Sequence, residues 1–217
     1  VEIPYDKVWD EEVLNGKLKD YDWIHLHHED FTGQYGKFFA AFGSSAWYMT
    51  QKQTNEDMAK KLGFAKVSEL KLAVVKKLRE YVSGGGFLFT MCSGTTTPDI
   101  ALASQYTDIC DVMYDGDPID PNANSKLDYS ECMVFQNFQI QLNPYVYEYS
   151  DIDITDAELM AGQYNDYFTL FDFSAKIDPV PTMLIQCHTA AIKGYLGQES
   201  GFREEFIKPN MTKNKKN

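Results

Sequence analysis

"SGGGFLFTMCSGTTTPDIALAS", residues 83–104, decides how this chain is read. Three glycines end whatever precedes them, and "FLFTM" (87–91) is an unbroken apolar run of buried-strand length. Thr97, Pro98 and Asp99 then supply an N-cap, a proline for the first helical position and an acid for the first turn, predicting a helix over "PDIALASQY" (98–106). Between strand and helix, "T-M-C-S-G" sets Cys92 on a tight turn, with Gly94 where a side chain would crowd it. Such a turn exposes a sulfur beside backbone N–H groups that can hold an oxyanion, which is what a nucleophile needs.

Working outward, "SELKLAVVKKLREYVSGGG" (68–86) is the clearest helix, with Leu70, Leu72, Val74, Val75, Leu78 and Val82 on one face and Gly84 placed to end it. "YDWIHLHH" (21–28) predicts a strand, and "GKFFAAFGSSAWYMTQ" (36–51) has mixed helical spacing. "DICDVMY" (108–114) predicts a short strand. Residues 115–165, rich in Asp, Asn, Pro and Tyr, read as an insertion with short strands such as "MVFQNFQIQL" (133–142). "YFTLFDFS" (167–174) and "PTMLIQCH" (181–188) predict two further strands, the second running into "TAAIKGYLG" (189–197). Strands alternating with helices predict one α/β domain over 1–217, a mostly parallel open sheet with flanking helices.

The totals narrow the function. At 217 residues the chain is long enough to bury roughly 70% of its unfolded surface. A net charge of −12 repels a phosphate-rich partner, so nucleic acid is excluded, and the short basic run "TKNKKN" (212–217) reads as a polar tail. No apolar stretch approaches membrane-spanning length, so no membrane span is expected. Cys92, Cys110, Cys132 and Cys187 are too far apart for a zinc ribbon or a redox dithiol. The start at Val1 leaves room for a removed leader, and compartment and oligomeric state stay open.

The second chemical signal is "HLHHEDFTG" (25–33), at the end of the first strand, with three of the four histidines of the chain. In an open parallel sheet, loops at the carboxyl ends of strands share one edge, where His27, His28, Glu29, Cys92 and His188 are expected to converge. Alternation sets His25, His27 and Glu29 on one face and His28 and Asp30 on the other. Imidazoles with nearby carboxylates also suit zinc, although no complete metal motif is present. Asp115, Asp117 and Asp120 in "YDGDPIDPN" (114–122) lack the glycine and terminal glutamate of a calcium loop and read as turn chemistry.

The turn around Cys92 resembles the nucleophile elbow of the class I glutamine amidotransferase-like superfamily, which includes intracellular-protease-like and trehalose-utilisation-protein-like domains. "IQCHTA" (185–190) is similar to the Gln-x-His-x-Glu segment of those proteins, with Gln186 and His188 in place. Two positions depart from the pattern: Thr90 stands where a very small residue is preferred, and Ala190 where the orienting glutamate belongs. The order of "YDWIHLHHEDFTGQYG", "SGGGFLFTMCSG", "DPVPTMLIQCH" and "KGYLGQ" looks like a group of bacterial proteins that carry the label "asparagine synthetase B-like". The label's own chemistry is absent, since the chain has no N-terminal cysteine and no Ser-Gly-Gly-x-Asp-Ser loop. Members of that group extend further, which implies that this chain is a fragment lacking terminal strands.

The resemblance implies a flavodoxin-like fold and a cysteine-dependent amidase, hydrolase or amidotransferase-like enzyme acting on a small amide. It needs no cofactor and no metal. Cys92 is its nucleophile, His188 its base and Glu29 the orienting group. Ser93 and Gly94 hold the oxyanion, and His27, His28 and Gln186 contact the small-molecule substrate. Two alternatives stand beside it. The first is a decayed domain that binds a carbohydrate or a partner through aromatics such as Trp47, Tyr48 and the cluster from Tyr145 to Tyr149. The second is a zinc hydrolase using the cluster from His25 to Asp30.

Overall fold

The structure, a computed structural model, describes residues 5–152 and the backbone of 201–202. Strand β1 (Trp23–His27) and strand β2 (Phe87–Met91) pair in parallel, with Trp23 opposite Phe87 and His27 opposite Met91. A short helix α1 (Asp10–Leu14) precedes β1, and the crossover between the two strands carries helices α2 (Phe39–Phe42), α3 (Ala46–Lys61) and α4 (Val67–Ser83). Parallel strands need such a crossover because a tight turn cannot reverse the chain direction twice. The result is a mixed α/β arrangement with two separate two-stranded sheets among the described residues, this parallel pair and a small antiparallel pair, β3 (Phe135–Gln136) with β4 (Gly201–Phe202).

Helix α4 buries Val67, Leu70, Val74, Val75 and Leu78, leaving Leu72 and Val82 of the predicted face half-buried, and packs against α1 and against helix α5 (Ser93–Ala103). Its end explains two of the three glycines. Gly85 adopts a left-handed φ of 101°, and a Cβ on Gly86 would lie 2.2 Å from the Tyr81 ring. Tyr81 folds back over Gly86, and its hydroxyl donates to the Tyr21 carbonyl at 3.1 Å, tying the helix end to the approach to β1.

Three expectations need correction. Helix α5 begins at Ser93, four residues before Thr97, because Cys92 itself turns the chain. Pro98 therefore lies inside the helix, where its missing N–H removes the bond to the Gly94 carbonyl. Second, "DICDVMY" is no strand: Asp111 caps a one-turn helix, α6 (Val112–Asp115), by accepting from the Val112 N–H. Third, of the strand expected over "MVFQNFQIQL" only β3 at Phe135–Gln136 forms, while Phe135, Phe138, Ile140 and Ile152, all within the stretch read as an insertion, are buried in the core. The strands expected at 167–174 and 181–188 lie outside the described residues.

Candidate active site at the carboxyl edge of the parallel strands

Cys92 follows Met91 with φ 54° and ψ −134°, a left-handed conformation that a non-glycine residue adopts only at a cost. The strained residue joins β2 directly to α5. This half-buried cysteine is the N-cap of the helix, and the Thr95 N–H donates to its carbonyl at 2.9 Å. The N–H groups of Ser93 and Gly94, at the first turn of the helix, have no intrahelical acceptor by construction. The crowding expected at Gly94 is real, since an added Cβ would lie 3.3 Å from Leu26 Cβ. A side chain there would require Leu26 to give by a few tenths of an ångström.

The loop after β1 is fastened to α5 by Thr97, which is fully buried. Its hydroxyl faces the carbonyls of Ser93 at 2.7 Å and Glu29 at 3.2 Å, and accepts from the Phe31 N–H at 3.3 Å. Asp30 serves the same loop: its carboxylate accepts from the Thr32 N–H and hydroxyl and, at 2.7 Å, from the Gly36 N–H. Asp30 is thereby a turn residue. Glu29 differs from alternation, because its Oε2 is buried without a hydrogen-bond partner and would lie 3.8 Å from a Cβ on Gly94, whereas His25 and His27 face solvent. Glu29 and the elbow are thus neighbours.

His28 corrects alternation in the opposite sense. Its φ of 63° turns it back beside His27, with the two ring centroids 3.9 Å apart. His25, two residues earlier on the same exposed face, has its ring 6.0 Å from that of His27 and 5.0 Å from that of Phe89 on β2. The structure therefore brings Cys92, Ser93, Gly94, Glu29, His27 and His28 to one edge. Gln186 and His188 lie outside the described residues.

A second polar cluster escaped the sequence reading. Lys66 Nζ sits among three carboxylates, at 2.6 Å from Asp108, 2.9 Å from Asp115 and 2.7 Å from Asp117. Burial alone would lower the Lys66 ammonium, but the hydrogen bonds it donates to these carboxylates outweigh that and hold it well above the ordinary lysine range. Burial pushes Asp115 up, while the Lys66 hydrogen bond pulls Asp117 down. Asp120 is a separate turn acid, held down to about 2 by Lys126 first, then by the Asn122 N–H and Thr107. Asp108, Cys110 and Asp115 are, among the described residues, the group whose ligand atoms lie near enough to share a metal ion. Lys66 already supplies the cation there. Cys110 Sγ donates to the Thr32 carbonyl at 3.3 Å, and burial raises its thiol well above the usual range, so this cysteine is structural.

Asp99 was also mis-assigned by sequence. It is buried, and its carboxylate accepts from the N–H groups of Met133 at 2.6 Å, Val134 at 2.7 Å and Phe135 at 2.7 Å. The acid anchors the chain entering β3 instead of complementing a helix end. Among the described residues no helix is long and apolar enough to cross a membrane. Comparison of the chain with models of protein families, with curated proteins and with solved structures returned no match.

Proposed function

We propose that this chain is a cysteine-dependent amidase or related hydrolase with Cys92 as its nucleophile, in a doubly flanked, mostly parallel sheet of which β1 and β2 are two strands. The carrying observation is the left-handed backbone of Cys92 between a parallel strand and a helix start. A structural cysteine needs no such conformation, whereas a nucleophile gains exposure from it. The thiolate attacks the carbonyl carbon of a small amide, and the N–H groups of Ser93 and Gly94 receive the developing oxyanion. The C–N bond then breaks, the amine leaves with the proton that the general base took from the Cys92 thiol, and water hydrolyses the thioester to the carboxylic acid and the free thiol. In this reading His188 is that base, Glu29 orients it, and His27, His28 and Gln186 contact the substrate.

Site-resolved alkylation tests the proposal. With limiting iodoacetamide near pH ~7, Cys92 is expected to be modified at least tenfold faster than Cys110 and Cys132, and faster than a free thiol. Labelling of Cys92 no faster than a free thiol would overturn it.

One observation favours a second reading, a binding module for a neutral glycan. The Trp47 ring lies 5.3 Å from Phe42 and 5.9 Å from Phe38, which in turn lies 6.1 Å from Tyr147. Trp47, Phe42 and Tyr147 are exposed, and a groove of about 360 Å³ beside them is lined by Phe39, Tyr48, Met49, Lys52, Gln53 and Glu56. Exposed aromatic faces with polar groups at the margin suit a sugar ring. If this is the function, Trp47→Ala abolishes glycan binding on an array while Cys92→Ala leaves it intact; a loss confined to Cys92→Ala contradicts it.

A further inference from the structure

We infer that Thr97 is a positioning residue for the oxyanion site: its hydroxyl, by bracing the Ser93 carbonyl, aims the Gly94 N–H at the reacting carbonyl group. The inference rests on Cys92 as the nucleophile and names a residue that acts through the backbone and not on the substrate. A threonine in a helix often hydrogen-bonds the carbonyl four residues back, and the 2.7 Å contact from Thr97 Oγ1 to the Ser93 carbonyl is of that kind. The other two partners are not. The Glu29 carbonyl at 3.2 Å and the Phe31 N–H at 3.3 Å belong to the loop after β1, 68 and 66 residues away in the chain. One fully buried oxygen thus joins the first turn of α5 to the loop that carries Glu29.

Peptide geometry carries the effect. The Ser93 carbonyl and the Gly94 N–H belong to one planar trans peptide unit and point in opposite directions. Holding the carbonyl therefore holds the N–H, here toward the end of α5 that Cys92 caps. A hydrogen bond accepted by the carbonyl also polarises the unit and makes its N–H a stronger donor. The helix itself holds this turn weakly, because Pro98 has no N–H for the Gly94 carbonyl and glycine has the widest backbone freedom. The Thr97 hydroxyl supplies the missing restraint. It accepts from the Phe31 N–H and shares its one proton between the Ser93 and Glu29 carbonyls. Removing it takes the brace from the Ser93–Gly94 unit and the acceptor from Phe31 together.

Two reactions of the Cys92 thiol test the role. With p-nitrophenyl acetate the thiolate attacks the ester carbonyl, an oxyanion develops, nitrophenolate leaves and an acetyl thioester remains. With iodoacetamide the thiolate displaces iodide from a methylene carbon, and no oxyanion forms. Thr97→Val and Thr97→Ala remove the hydroxyl, the first keeping the volume and the second opening space, while Thr97→Ser keeps it. In both hydroxyl-free variants acetylation of Cys92 is expected to slow by roughly tenfold or more while alkylation stays within about twofold. Thr97→Ser is expected to bring acetylation back to within about threefold of the wild type. Equal losses in both reactions would make Thr97 a support of the fold or of the thiol, and would overturn the inference. So would acetylation that is undiminished in the hydroxyl-free variants, or that is as slow in Thr97→Ser. Absence of Cys92 acetylation in the wild-type chain overturns the nucleophile and the inference together, whereas wild-type acetylation with undiminished variants overturns the inference alone.

Discussion

Cys92 holds its left-handed backbone at a cost of about 1–3 kcal/mol, and the surrounding contacts must sustain it. Glycine adopts the same conformation freely. Cys92→Gly is therefore expected to raise unfolding stability by about 1 kcal/mol while removing the thiol, and urea denaturation measures it. A destabilised glycine variant would mean that the backbone at 92 is unstrained. Asp99 gives a sharper contrast of magnitudes. An exposed acid in a helical first turn contributes about 0.3–1 kcal/mol, whereas removing a buried acceptor of three N–H groups leaves each to cost about 1–3 kcal/mol. Asp99→Ala is predicted to cost at least about 3 kcal/mol in urea denaturation, and a loss under 1 kcal/mol would restore the helix-end role. The sequence pattern could not distinguish these roles, because the partners of Asp99 lie more than thirty residues downstream.

At the scale of elements, the strands β1 and β2, helix α4 and the turn between β2 and α5 are legible from local pattern. Each rests on periodicity or on glycine placement, which act within a few residues. The start of α5 was not, since Thr-Pro-Asp is a strong local cap and only the turn at Cys92 overrides it. Nor was the fate of the acids in 108–117, which one distant lysine decides. Lys66→Met leaves Asp108, Asp115 and Asp117 unpaired and is expected to cost about 1–3 kcal/mol near neutral pH, discounted from a buried pair because the cluster is partly exposed. The sign follows from the shifts. The lowered Asp117 contributes stability above its unfolded value near ~4 that is lost as pH falls, and the raised Lys66 contributes below ~10 and loses it as pH rises. The raised Asp115 works against them, stabilising only under acid. Unfolding the two proteins across pH should show the deficit shrinking below pH ~4, where the carboxylates become neutral. A deficit that does not change with pH would assign Lys66 a packing role.

For the molecule as a whole, parallel pairing places the ends of β1 and β2 side by side, and everything chemical in the described residues of the site hangs on that edge. Thr97 and Gly94 fix how closely the β1 loop and α5 approach, so the edge is a packed junction and not a loose loop. The sequence located this edge through Cys92 and the histidines but misjudged their faces, because positive φ at His28 and burial of Glu29 both break strand alternation. The central claim is that Cys92 forms a covalent acyl intermediate, and p-nitrophenyl acetate tests it directly. Attack by the Cys92 thiolate on the ester carbonyl expels nitrophenolate and leaves one acetyl thioester, which water later releases. The account predicts a burst of nitrophenolate equal to the protein concentration, one acetyl group mapped to the peptide containing Cys92, and loss of both in Cys92→Ala. A burst undiminished in Cys92→Ala, or no burst in the wild type, would contradict it.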